Sequence, residues 1–259
     1  MADSDEEPVT LSSHALAALQ EFYGERDAHA DKFEKLKAAA EEQHDGNAQP
    51  LSMEAFTEDW NESQFWYADE TATLLAKQLI EGVREDEVVA VVSAPSVFIA
   101  LKNLQNTADF KAKPKPKVYL LEHDQRFAVF PEFVFYDFQQ PIKLPGELKG
   151  TVDRIICDPP FLSEDCQTKA ALTVRWMSRA PSKANNQTQP HPRVIVCTGE
   201  RMESLVTKLY RSFGAHTTTY EPRHARGLSN EFYCYANFEC DAWTFQGEKE
   251  KGTSGVVKS

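Results

Sequence analysis

The chain is 259 residues long, carries 28 Lys and Arg against 40 Asp and Glu for a formal charge of -12, and is 41% hydrophobic. That is enough for one large core, and the negative balance excludes a general affinity for phosphate backbones, so nucleic acid would need a local basic groove. Five cysteines, odd in number and without a CxxC pair, predict reduced thiols in a cytosolic or nuclear protein rather than disulfides or structural zinc, and no apolar run approaches the ~18 residues of a membrane span.

Residues 1–10, MADSDEEPVT, are acidic, lack the apolar core of a secretion signal and predict a disordered start. From Leu11 to about Gln43 the pattern is helical, with Leu16, Leu19 and Tyr23 on one face and Phe33 and Leu36 continuing it more weakly. HDGNAQP then breaks it, so residues 11–62 read as a helical extension. A second helix is predicted over 69–81, with Leu75 and Leu79 inward and Gly82 as its stop.

The rhythm then changes to alternating strands and helices. VVAVVS (88–93) is a fully apolar strand, VFIALKN a helix, and KVYLLEHD (117–124), EFVFYDF (132–138) and VDRIICD (152–158) are the next three strands. EDCQTKAALTVRWMS is a helix with Ala170, Val174 and Met177 in register, and RVIVCTG (193–199) is the fifth strand. A helix carrying Met202, Leu205 and Leu209 ends near Gly214, ahead of strand candidates HTTTYEP and EFYCYANF. The main domain is therefore expected over 63–245, with a disordered tail over 246–259. Near-continuous Val/Ile/Leu strands separated by helices predict a doubly wound α/β domain with a mostly parallel sheet. Ligands of such sheets sit at the carboxyl ends of the strands, near the reversal of strand order.

Four consecutive strand ends carry polar or acidic groups: Ser93, Ala94, Pro95 and Ser96, then Glu122 and Asp124, then Asp137 and Phe138, then Asp158 to Phe161. An acid after the second strand can accept from ribose hydroxyls, and one after the third from an adenine amino group. Each alone could equally cap the next turn, and it is their joint placement that points to a site. The first loop has no glycine and no Walker A lysine follows, so phosphate binding is unsupported.

IICDPPF (155–161) ends a buried strand abruptly. Pro159 and Pro160 have fixed φ and no N–H, so the chain leaves the sheet rigidly. Asp158 and a neighbouring carbonyl can then receive two hydrogen bonds from an amine, while the Phe161 ring supports a cationic or planar substrate. The competing reading is a plain turn beside a core aromatic ring, which the position at the fourth strand end disfavours.

LSSHALAALQEFY, SQFWY, SAPSV, LLEHDQRF, FVFYDF, DPPFLSEDC, CTG and PRHARGLSNEFYCY, in this order between Leu11 and Asn237, resemble the eukaryotic elongation factor 1A lysine methyltransferase family, enzymes once assigned as N6-adenine DNA methyltransferases. The resemblance implies a seven-stranded class I, Rossmann-like methyltransferase sheet, S-adenosylmethionine as cofactor, and elongation factor 1A as protein substrate of a monomeric cytoplasmic enzyme. It places the cofactor against Phe65, Trp66 and Tyr67, Ser93 to Ser96, Glu122 or Asp124, and Asp137 with Phe138. The target amine falls at Asp158, Pro159, Pro160 and Phe161, and the substrate beside His224, Asn230, Glu231 and Phe232. Trp66 and Tyr67 could equally pack the entry helix, and Arg223, His224 and Arg226 could form a solvated turn. Phe161 stands where relatives often have Tyr, and 179–192 is a longer, more polar link that reads as a flexible surface loop.

Three other readings stay open at this stage. The same acceptors could hold a flipped adenine, although the chain lacks a basic segment with interleaved aromatics. The fold could serve as a catalytically silent scaffold. A cysteine nucleophile is the weakest, because Cys157 and Cys197 sit in apolar strands without a sequence-adjacent histidine.

Overall fold

The computed structural model describes residues 13–44, 50–56, 58, 64–111, 113, 115–180, 183–184, 187–188, 192–227 and 231–247. The acidic start, Asn230 and the tail from 248 onward lie outside them. Two compact units divide the chain, Met1–Thr57 and Glu58–Ser259.

In the first unit, α1 (Ser13–His44) is 32 residues long. Its buried end is the one where the sequence pattern is weaker. Leu16 and Tyr23 are exposed, whereas Leu36 is buried and Phe33 meets Phe56 edge-on at 6.3 Å. The cause is the returning chain: a short 3-10 turn, Met53–Ala55, begins where the Ser52 hydroxyl accepts the Glu54 N–H, and it delivers Phe56 to the C-terminal part of the helix.

The second unit is built on seven strands: β1 (Val88–Val92), β2 (Lys117–Glu122), β3 (Phe133–Phe135), β4 (Arg154–Cys157), β5 (Arg193–Gly199), β6 (His216–Thr217) and β7 (Phe232–Ala236). Their spatial order is β3-β2-β1-β4-β5-β7-β6. The first five run parallel, and β7 is antiparallel to both β5 and β6. Val89 to Val92 and all of β4 are buried, as the apolar runs of a sheet covered on both faces require. The expected strand over HTTTYEP shortens to two residues, because Thr218 turns its N–H and hydroxyl onto the Cys234 carbonyl and bridges to Phe245. Within the link read as a surface loop, Lys183–Ala184 and Gln187–Thr188 form a small antiparallel ladder.

Among the described residues, four helices of seven residues or more flank these strands, and a four-residue turn of helix, Ala108–Lys111, follows the second of them. α2 (Asp69–Ile80) opens with Asp69 and Glu70 at the positive end of its dipole. Its other end is held by Arg154, which donates to the carbonyls of Leu79, Glu81 and Gly82 at 3.0, 2.7 and 3.1 Å and pairs with Glu87 at 2.9 Å. α3 (Pro95–Gln105) starts on a proline, whose missing N–H costs a helix start nothing. α4 (Glu164–Met177) is capped by the Ser163 hydroxyl accepting the Cys166 N–H, and α5 (Glu203–Leu209) precedes β6.

Strand order reverses between β1 and β4, which is where a doubly wound sheet opens its crevice. Their register pairs Val92 with Cys157. Ser93 and Asp158 therefore leave the sheet side by side, the first donating its N–H to Leu121 and the second to Val92.

Candidate functional site

A cavity of about 570 Å³ opens over the carboxyl ends of the parallel strands. It gathers residues that lie far apart in the chain: Phe65 and Trp66, Ser93 to Ser96, Glu122, Asp137 with Phe138, Asp158 to Phe161, His224 and Phe232. Tyr67, Asp124 and Glu231 are not on its wall, and Asn230 lies outside the described residues.

The loop after β1 does without glycine by placing Ser93 at φ 53, the left-handed region; among the described residues no other non-glycine has positive φ. Ala94 and Pro95 follow, and the Ser96 hydroxyl accepts the Tyr67 N–H at 3.2 Å.

The two acids after β2 have different tasks. Asp124 accepts the Arg126 N–H at 2.9 Å, pairs with its guanidinium at 2.6 Å and receives Gln64 Nε2 at 3.2 Å. It thereby caps the 3-10 turn Gln125–Val129, and although burial would raise its carboxyl, the Arg126 bonds hold it below the ordinary range. Glu122 faces the cavity. The N–H groups of His123 and Asp124 both donate to its Oε1, at 2.8 and 3.1 Å, and no donor among the described residues reaches Oε2. Burial pushes this carboxyl up to about 7, against those two bonds. Of the pair left open by the sequence, Glu122 is the one that lines the cavity. After β3, the Asp137 carboxylate accepts the Gln139 N–H and Gln140 Nε2, while the Phe138 ring lies 5.5 Å from that of Phe161.

After β4 the chain turns at Pro159 and Pro160. No donor among the described residues reaches the backbone carbonyls of Asp158 or Pro159, which leaves acceptors free at the corner. The Asp158 carboxylate accepts the Tyr67 hydroxyl through Oδ2 at 2.6 Å. Burial pushes Asp158 up to about 7, the Tyr67 bond pulls it down, and the nearby Glu122 pushes it up again. Tyr67 is thus buried behind the site rather than lining it.

On the far wall, burial lowers His224 to about 4, so its imidazole is neutral at physiological pH. It packs between Tyr67 and Phe232, with ring centroids 4.9 and 4.6 Å away. The Glu231 side chain is exposed, and its carbonyl accepts the Glu200 N–H, so it serves the entry to β7 instead of the cavity. Gln64, from the SQFWY run, completes the wall together with His123, Gln139, Leu162 and Arg201, which were not singled out from the sequence. Gly199 offered a signal for one of them: a Cβ there would meet Leu162 Cδ1 at 2.9 Å, so glycine lets Leu162 close the site. Among the described residues no group of three His, Cys, Asp or Glu side chains could hold a metal ion, and no helix is long and apolar enough to cross a membrane.

A seven-stranded sheet in this order, with an antiparallel seventh strand and a carboxylate-lined cavity at its switch point, defines a class I methyltransferase. The family described as probable N6-adenine methyltransferase matches residues 58–240. The chain is 45% identical to protein-lysine N-methyltransferase EFM5 of Saccharomyces cerevisiae, across 91% of this chain and 94% of that one. It is 37% identical to human EEF1A lysine methyltransferase 1, again across 91% and 94%. Among solved structures, a predicted O-methyltransferase, protein Atu636 from Agrobacterium tumefaciens, aligns with a TM-score of 0.42 at 15% identity over 64% of this chain and 79% of its own. The chain belongs to the N6-adenine methyltransferase-like family that includes the EEF1A lysine methyltransferases.

Proposed function

We propose that this protein is an S-adenosylmethionine-dependent protein-lysine N-methyltransferase acting on elongation factor 1A, and that it works in the cytoplasm beside that substrate. The observation that carries the reading is the corner after β4, where a carboxylate and free carbonyls face a cavity that already holds a second carboxylate without an ion-pair partner among the described residues. The residues fit the cofactor. The free Oε2 of Glu122 suits a ribose diol, and the Phe138 ring with the Asp137 backbone forms a wall for a planar base. When bound, S-adenosylmethionine supplies a methyl group on a positively charged sulfur.

A lysine amine has a free pKa near 10.4, so at neutral pH only on the order of one in a thousand is the neutral nucleophile, a handicap of roughly 4 kcal/mol. A site walled by Pro160, Phe161, Leu162 and Phe232 desolvates the ammonium and favours its neutral form, with the proton passing to water before closure. Asp158 and the adjacent carbonyl accept the remaining N–H bonds and aim the lone pair, so positioning is the main contribution of the protein.

The same acceptors could take an adenine amino group, but Arg201 is the one cationic side chain lining the cavity among the described residues, and the chain carries a charge of -12. Labelled cofactor offered in parallel to purified elongation factor 1A and to oligonucleotides decides the matter, followed by mass spectrometry of the protein. Methyl transfer to lysine is expected. Transfer to DNA or RNA alone overturns the proposal.

A further inference from the structure

The cavity-facing acid Asp158 is tied to a residue 91 positions away that does not itself line the cavity, Tyr67. The Tyr67 hydroxyl donates to Asp158 Oδ2 at 2.6 Å, within the range of O–H bonds to an ionised carboxylate. The donor is fixed from several sides. Its N–H is bound by Ser96 Oγ, its backbone pairs with His224, and the flanking bonds Ala68 N–H to Arg223 carbonyl and Ala225 N–H to Trp66 carbonyl, at 2.9 and 2.8 Å, close a two-stranded strap. Three residues earlier in the same strap, Gln64 Nε2 holds Asp124 beside the cofactor side of the cavity.

We infer that Tyr67 is a positioning residue for methyl transfer: its hydroxyl holds the Asp158 carboxylate ionised and leaves Oδ1 for the incoming amine. The inference rests on the reading of Asp158 as the amine acceptor, and it goes beyond that reading by naming what sets the acceptor's charge and aim. A carboxylate shut into this corner favours its protonated form, and a protonated Asp158 would turn an O–H donor toward the amine lone pair. Tyr67 opposes this. Burial, and then the proximity of Asp158, raise the phenol well above its ordinary range, so it remains an O–H donor at any working pH. The other groups facing Asp158 do not replace it. Glu122 at the end of β2 repels its charge, Cys166 on α4 and Cys197 on β5 are buried thiols, and His224 is neutral.

Tyr67→Phe keeps the ring and removes the donor. Losing a hydrogen bond to a charged group lowers kcat at pH 7 on the order of tenfold, while KM for S-adenosylmethionine stays within about twofold. The acid limb of the kcat/KM profile moves to higher pH, because the ionised acid has lost its donor, and the deficit narrows by pH 9. If Tyr67→Phe proves poorly folded, 3-fluorotyrosine at position 67, a stronger donor of nearly the same shape, must move the acid limb the other way. A carbon-13 NMR titration of the Asp158 carboxyl, assigned with Asp158→Asn, needs no substrate and must show the same displacements. Superposed pH profiles, an unmoved Asp158 titration, or a loss confined to cofactor KM overturns the inference. A displaced titration in a protein that transfers no methyl group to elongation factor 1A leaves the tether standing and removes the substrate assignment alone.

Discussion

Glu122→Gln separates what the fold tolerates from what the site uses. Glu122 is buried to 6% exposure, and its carboxyl is raised from 4.5 to about 7. At ~1.4 kcal/mol for each tenfold change in an ionisation equilibrium, keeping it charged in the folded state costs about 3 kcal/mol. The sign follows from the order of proton uptake: between pH 7 and 4.5 the folded state is protonated first, so stability rises as pH falls through that window and is lost as pH rises through 7. Glutamine keeps an acceptor for the His123 and Asp124 N–H groups and carries no charge. The variant without ligand is therefore expected to be more stable by about 3 kcal/mol at pH 8, a gain shrinking to about 1 kcal/mol at pH 5.5, read by urea unfolding. Cofactor affinity should move the opposite way. Replacing a charged acceptor by a neutral one costs about 1–2 kcal/mol, a 5- to 30-fold rise in Kd by calorimetry. No gain in stability at pH 8 would refute the burial argument, and a gain with unchanged affinity would refute the ribose assignment.

Asp158→Asn should reduce turnover on elongation factor 1A by roughly 10- to 100-fold while cofactor Kd stays within a few-fold, measured by labelled-methyl kinetics and calorimetry; turnover within twofold of the parent would sink the amine cradle. Arg154→Met leaves the buried Glu87 with only the exposed Arg84, at 3.3 Å, as cationic partner and frees three carbonyls at the end of α2, so unfolding free energy should fall by about 2–4 kcal/mol in urea titrations. Ser93→Gly relieves a left-handed conformation at a residue whose hydroxyl bonds to nothing among the described residues, partly offset by the looser unfolded chain, so stability should rise by roughly 0.5–1 kcal/mol in thermal melts.

The parallel strands were legible because burial on both faces forces runs such as VVAVV and RIIC, and their ends followed from where those runs stop. Local patterns failed where two solutions satisfy the same chemistry. Glu122 and Asp124 are equally acidic and two residues apart, and only Arg126, folding back onto Asp124, assigns one to the turn and leaves the other to the cavity. Tyr67 looked like a pocket aromatic because its neighbours Phe65 and Trp66 are; its link to Asp158 depends on a separation that no periodicity spans. Helix α1 was read from the end where its apolar face is strongest, but the end that becomes buried is the one Phe56 reaches, twelve residues beyond the helix end.

Charge allocation also bears on the choice of substrate. Three arginines near the sheet are committed to structural acids: Arg126 to Asp124, Arg154 to Glu87, and Arg179 to Asp153 at 2.6 Å. Glu122 and Asp158, which both line the cavity, form no ion pair among the described residues, and each is raised to about 7, Glu122 even against the nearby charge of Arg126. A site that keeps two acids without ion-pair partners is complementary to cationic ligands, whose arrival stabilises the ionised carboxylates that burial disfavours. A sulfonium cofactor does this, and so does a lysine that arrives as its ammonium, before the apolar wall and the sulfonium favour loss of its proton. A neutral adenine would enter without relieving the second carboxylate. The two raised acids therefore favour lysine over a nucleobase on grounds independent of the overall charge, and they predict that lysine peptides compete for the cavity more strongly at pH 8 than at pH 6, where both acids hold protons.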